Sequence, residues 1–331
     1  HEEGIYPIAR IVVAKDPILT TGRPDLAIQD STGGAWVDQD GKLWLNFFDQ
    51  RVWDYHVELA AEVVAAGFPE IQWDYVRFPD SPESFLNRAV YPGREEGQTK
   101  ADAVRAFLGY SREQLRERGA TVTADVFGVT TSANRDVGIG QLWEAFIDQV
   151  DVALPMVYPS HYWEGSFGFR EPNAYPYEIV RRALRDALSR SAQVEGAGAT
   201  RPWLQDFSLG DPPYGAPEVR AQIQATYDAG IQEWILWNPG SRYTEEALLP
   251  KRGLPSWLEP FMRVGGEIVP LSGRWEVLGE EPPEWIVDPP GTDLVPDSLL
   301  TLPGAPGEVR ALPPVPIPDT GRVAVRRRSG G

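Results

Sequence analysis

The chain has 331 residues, 42% of them hydrophobic and 24% charged, with a formal net charge of -17. That length supplies one large domain with a full core, no run nears the 18 apolar residues of a membrane span, and the charge repels a phosphate backbone, which argues against a nucleic-acid partner. The absence of cysteine removes disulfides, zinc-thiolate sites, iron–sulfur clusters and thiol nucleophiles. It also fits an exported bacterial protein, so the expected location is extracellular or the cell envelope.

Strand-like and helix-like patterns alternate over residues 4–250. GIYPIARIVV (4–13) is apolar and β-branched, the pattern of a buried strand. AWVDQDGKLWLNFF (35–48) predicts a small hairpin turning at Asp40-Gly41. Residues 51–66 place Val52, Tyr55, Leu59, Val63 and Ala66 at helical spacing, and Gly67 ends that helix. A strand over 70–78 and a helix over 99–118 follow. A strand over 121–129, a helix over 138–149 and a strand over 150–158 come next. The last pairs are a helix over 176–190 with a strand over 201–207, and a helix over 217–229 with a strand over 232–238.

This order defines an α/β class with a parallel sheet and helices outside it. A closed barrel and a doubly wound sheet both fit. No glycine-rich phosphate loop follows a strand, whereas polar residues recur at strand C-terminal ends, where a (β/α)8 TIM-type barrel builds its site. Six strands are visible. The chain opens on His-Glu-Glu-Gly directly before a buried strand, so the expectation is a barrel lacking its first two βα units here, with the visible strands numbered three to eight. A six-unit barrel is the alternative. Residues 1–250 then form the catalytic domain. The region 251–331 is a Pro-rich C-terminal tail, extended or disordered: residues 254–331 hold 14 of the 31 prolines and show no amphipathic helix.

Three strand ends place Asp one or two residues before an aromatic: Asp74, Asp125 and Asp206. A glycosidase needs one carboxyl to protonate the leaving oxygen and another to attack the anomeric carbon or activate water. The plainer reading is that a strand-end Asp caps the next helix or pairs with an Arg, and Arg77 stands close to Asp74. Alternation puts Gln72 and Asp74 on one face, with Ile71, Trp73, Tyr75 and Arg77 on the helix-packed one. Gln72 and Arg77 are further candidates for substrate binding, and Arg10 for orienting a carboxylate. Tyr158, His161 and Tyr162 follow another strand and offer hydroxyl contacts; His161 is also a candidate acid or base. Trp237 and Asn238 end the last strand as a sugar subsite floor. Lys15 would form a Schiff base only if buried. Twelve Trp, among them Trp73, Trp163, Trp203 and Trp237, suggest a partly exposed aromatic groove.

The motifs GIYPIARIVVAKDP, GFPEIQWDYVRFPD, TADVFG, IGQ, VDVALPMVYPSHY and ILWNPGSRY, in this order over residues 4–250, resemble a family of bacterial proteins labelled "putative glycoside hydrolases". That family is in turn distantly similar to the α-amylase-like (β/α)8 barrels. The resemblance implies Asp74 as nucleophile or base, Asp125 as acid and Asp206 as a third, stabilising carboxyl. Asp125 departs from it, because a Glu is expected there and Asp is one methylene shorter. The implied substrate is an extracellular or cell-wall polysaccharide, with no metal or organic cofactor. A non-catalytic carbohydrate-binding or wall-associated barrel is the alternative, favoured by the missing Glu; the sequence sets no oligomeric state.

Overall fold

The computed structural model describes residues 5–248, 258–264, 267–270 and 323–327. Its Cα packing divides into two units. Unit 1 comprises 1–155 and 190–200, and unit 2 comprises 156–189 and 201–331.

Unit 1 carries β1 (Ile8–Val12), α1 (Gln50–Ala65), β2 (Glu70–Asp74), α2 (Lys100–Arg116), β3 (Thr121–Phe127) and most of β4 (Val152–Met156). The strands pair in parallel. β1 aligns Ile8 with Glu70 and Val12 with Asp74, and β2 aligns Glu70 with Thr121 and Trp73 with Ala124. β4 is the next neighbour of β3, and it also pairs with Ala199–Thr200.

Local chemistry sets these elements. Asp49 caps α1 by accepting from the Arg51 N–H, and Gly67 beyond its end takes φ 106°. Thr99 and Asp102 form a reciprocal capping box at the start of α2. Trp73 turns away from the strand's polar face. It is fully buried, donates from Nε1 to Ser111 Oγ at 3.1 Å and meets Phe107 edge-on at 5.2 Å. Burying such a ring contributes about 1.5–3 kcal/mol.

The hairpin near Asp40-Gly41 forms, with a bridge from Val37 to Leu43 and a turn closed from Gly41 N to Asp38 O at 3.0 Å. The continuous helix expected over 138–149 does not. A loop runs to Leu142, then a short helix Trp143–Phe146 and a 3-10 turn Ile147–Gln149. Asp136 Oδ1 accepts from the N–H groups of Gly138, Ile139 and Gly140, and both glycines hold positive φ. That local bonding competes with a helix.

In unit 2, α3 (Pro176–Ser191, its last two residues in unit 1), β5 (Trp203–Gln205), α4 (Ala216–Asp228) and β6 (Ile235–Trp237) follow. Met156 pairs with Trp203, and β5 pairs in parallel with β6, aligning Gln205 with Trp237. Leu204 and Leu236 pack with Ile179, Val180, Leu184, Val219 and Ile223 in one core. Most of the Pro-rich region 251–331 lies outside the described residues. Within it, strand β7 (Leu258–Val264) pairs antiparallel with β8 (Glu267–Pro270) and β9 (Val323–Arg327).

Candidate active site

The polar residues of β2 and β3 share one face because a strand alternates with period two. Glu70, Gln72 and Asp74 are all buried, as are Thr123 and Asp125. Thr123 Oγ1 donates to Glu70 Oε1 at 3.2 Å, which closes the deep end of this column. Arg10 pairs with Gln72 across the β1–β2 register. Its guanidinium spans both aspartates, with Nη2 donating to Asp74 Oδ2 and Nε 3.5 Å from Asp125 Oδ2. Contact through one guanidinium holds the two carboxyls within about 10 Å, the range of a glycosidase pair. Gln72 Nε2 donates to both Asp125 oxygens, at 2.7 and 2.9 Å.

Asp74 ends its strand at a bend. Its Oδ1 accepts from the Tyr75 N–H at 2.7 Å, and Tyr75 has φ 51°. A non-glycine residue there costs on the order of 1 kcal/mol or more and occurs often at functional sites. The bend breaks the alternation that grouped Arg77 with Trp73. Arg77 does not pair with Asp74 either. Its Nη1 donates to the Phe78 carbonyl at 3.0 Å, and its guanidinium stacks on Trp44, Tyr75 and Phe127. Burial pulls its pKa below the ordinary arginine value, opposed by nearby Tyr75 and Asp80. Lys15 sits beside this group, 3.4 Å from Asp38 Oδ2.

Gln141 is a buried supporter that sequence reading missed. Its Oε1 accepts from the Phe127 N–H at 2.9 Å, and its Nε2 donates to the carbonyls of Val76 and Asp125, each at 3.3 Å. It thereby ties the loop after β2 to the end of β3. It lies inside the matched IGQ motif, the one signal that pointed to it.

Unit 2 holds the other candidates. Tyr158, His161 and Phe207 form a mutual edge-on ring group with centroids 5.3–5.9 Å apart. His161 Nδ1 lies 3.0 Å from Ser160 Oγ, and burial holds its pKa below the usual histidine value. Gln205, also missed, is fully buried and accepts from Ser160 N and Oγ at 3.1 and 2.8 Å. Asp206 is buried and engaged by one loop: Thr244 N and Oγ1 donate to its two oxygens at 2.8 and 2.6 Å. Asn238 Nδ2 donates to the Asp206 carbonyl, and Asn238 Oδ1 accepts from Gly240 N. Tyr162 packs on Phe167, and Trp237 meets Trp203 edge-on.

The aromatic groove is reduced by burial. Trp73 and Trp203 are core residues, Trp237 is half-buried, and Trp163 stands out at 53% exposed. Among the described residues no three His, Asp or Glu side chains gather as a metal site, and no helix is long and apolar enough to cross a membrane.

Parallel strands followed by helices, with carboxylates at the strand ends, define an α/β protein of the TIM-barrel kind. Residues 1–243 match the model of a family described as "Putative glycosyl hydrolase domain", and the chain belongs to that family. Curated proteins gave no match. Among solved structures it is similar to a hypothetical protein from Ruminiclostridium thermocellum ATCC 27405, at 37% identity over 38% of this chain and 61% of that one, TM-score 0.34. It is also similar to the PgaB (BpsB) glycoside hydrolase domain from Bordetella bronchiseptica, at 17% identity over 71% of each chain, TM-score 0.48. A third likeness is to an alpha-galactosidase from Thermus thermophilus, at 16% identity over 82% of this chain and 53% of that one, TM-score 0.42.

Proposed function

We propose that this domain hydrolyses glycosidic bonds in an extracellular or cell-wall polysaccharide, using Asp74 as nucleophile or base and Asp125 as acid. The observation that carries the reading is the Arg10 guanidinium bridging two buried strand-end carboxylates. Two carboxyls at this spacing suit protonation of the leaving oxygen by one and attack at the anomeric carbon, or activation of water, by the other. Arg10 offsets part of the charge gathered there and fixes both groups relative to each other. Asp206 lies in unit 2, with both carboxyl oxygens taken by Thr244.

One observation favours a non-catalytic carbohydrate-binding role instead. The Gln72 amide occupies both oxygens of Asp125, and a general acid must turn one oxygen toward its substrate. Turnover of a polysaccharide panel by the wild-type chain and by Asp74→Asn decides between them. The hydrolase reading expects about a thousandfold loss of kcat in the variant, within the range for removing an acid–base group, with unchanged thermal unfolding. Equal turnover by both proteins removes Asp74 from the mechanism. Binding without turnover by the wild type supports the non-catalytic role.

A further inference from the structure

Beside the carboxylate pair lies a group that hydrolysis does not require. The Arg77 guanidinium carbon is 4.6 Å from the Phe127 ring centre, 4.9 Å from Tyr75 and 5.0 Å from Trp44. Lys15 Nζ is 5.2 Å from the Trp44 ring and 5.7 Å from Tyr75, so two cations share one pair of rings. Tyr75 follows Asp74 directly, and Phe127 stands two residues after Asp125. The group therefore borders the pair within unit 1.

Arg77 holds no acid, unlike several arginines of the same unit. Arg51, Arg105, Arg112 and Arg190 each hold a carboxylate. Among the described residues Arg77 has none within ion-pair distance, although the chain carries 48 acidic residues against 31 basic ones. Asp80 lies nearby but outside ion-pair distance and is exposed, and Asp38 is committed elsewhere. Asp38 accepts from Trp44 Nε1 at 2.9 Å and from the N–H groups of Lys42 and Asp40, and it pairs with Lys15. Of the Arg77 nitrogens, Nη1 binds the Phe78 carbonyl, and neither Nε nor Nη2 is a fully buried atom left without a partner. Three rings thus hold a planar fork of donors in place beside the carboxylate pair. Such a fork matches carboxylate, sulfate and phosphate oxygens, and partial desolvation strengthens that contact.

We propose that Arg77, with Lys15 beside it, forms a subsite for an anionic sugar substituent, and that the glycan this domain recognises is acidic. The inference rests on the glycan reading above but not on turnover. It is tested by calorimetry on the full chain carrying Asp74→Asn, so that binding is measured without hydrolysis. The probes are an oligogalacturonate, a sulfated oligosaccharide and a neutral oligosaccharide of matched length. One acidic probe is expected to bind at least about tenfold tighter than the neutral one, as one charge-assisted hydrogen bond allows. Adding Arg77→Gln abolishes that preference and leaves neutral binding unchanged. Lys15→Gln weakens it in the same direction and decides the matter should the Arg77 variant unfold by circular dichroism. Equal affinity for all probes, no binding of either acidic probe, or a preference that survives both substitutions overturns the subsite. If the wild type fails to cleave a probe that binds with the expected preference, the hydrolase reading falls and the subsite stands.

Discussion

Arg10 comes from a strand that otherwise reads as apolar, and its effect is reached only through tertiary pairing. Its side chain is 38% exposed, while those of Asp74 and Asp125 are 4% and 1%. Replacing it with Met leaves two buried carboxylates facing each other without their shared cation. The expected cost is about 1–3 kcal/mol in chemical denaturation, the usual penalty for stranding a buried charged group, moderated by the exposure of the arginine. If the hydrolase reading holds, kcat falls far more than KM rises, because the variant misplaces reacting groups without removing substrate contacts. A variant with wild-type stability and kcat would show that Arg10 does not organise the pair. Asp74 was legible because strand-end position and alternation are local properties. Gln72 and Arg10 were visible as candidates, but their partners were not. Gln72 binds Asp125 across 53 residues and Arg10 reaches Asp74 across 64. The commitment of Asp206 to Thr244 was equally hidden, since a loop 38 residues away supplies both donors.

Strands and long helices were largely readable in sequence because their apolar periodicity is strong. The exception, 138–149, fails for a local reason. Gly140 holds φ 85°, and a Cβ there would lie 2.9 Å from the Lys100 carbonyl and 2.9 Å from Val104 Cγ2. Gly140→Ala is expected to destabilise the chain by about 1–3 kcal/mol through strain and overpacking, and to loosen Gln141, which links the ends of β2 and β3. A melting temperature equal to wild type would refute this. Helix α1 contributes a pH dependence. His56 is buried, its Nδ1 lies 2.7 Å from the Val52 carbonyl, and burial lowers its pKa, opposed by that carbonyl and by Asp16. His161 is lowered for the same reason. Above a pH of about 6.5 both residues are neutral in folded and unfolded chains. As pH falls below that value the unfolded chain binds protons first, so stability declines, by at most about 1.4 kcal/mol per pH unit for the buried His56 and by less for His161, which is exposed and screened by solvent. Thermal melts between pH 7.5 and pH 5.5 are expected to show this slope, shallower in His56→Gln and shallower again when His161→Gln is added. An unchanged slope in the double variant would assign the effect elsewhere.

At the scale of the whole chain, the family model stops at residue 243, and every candidate residue lies at or before Asn238. Among the residues whose burial is described, Ala247 and Leu248 are the last members of the unit 2 core and Trp53 the last of the Leu26–Leu45–Val52 cluster of unit 1. Apolar burial dominates folding free energy, and a chain cut after residue 250 keeps every member of these two clusters. It also keeps Thr244, whose bonds fix Asp206. The truncated chain is therefore expected to unfold cooperatively, with a midpoint within a few degrees of the full chain, roughly a 1 kcal/mol difference at this size. Its affinity for the acidic probes and any turnover should match the full chain as well. Those readouts separate two roles for the Pro-rich region. A lower midpoint with intact binding would make residues 251–331 a structural brace. An intact midpoint with weakened binding would extend the glycan site into them, and would place part of the chemistry in a region whose composition gives no sign of it.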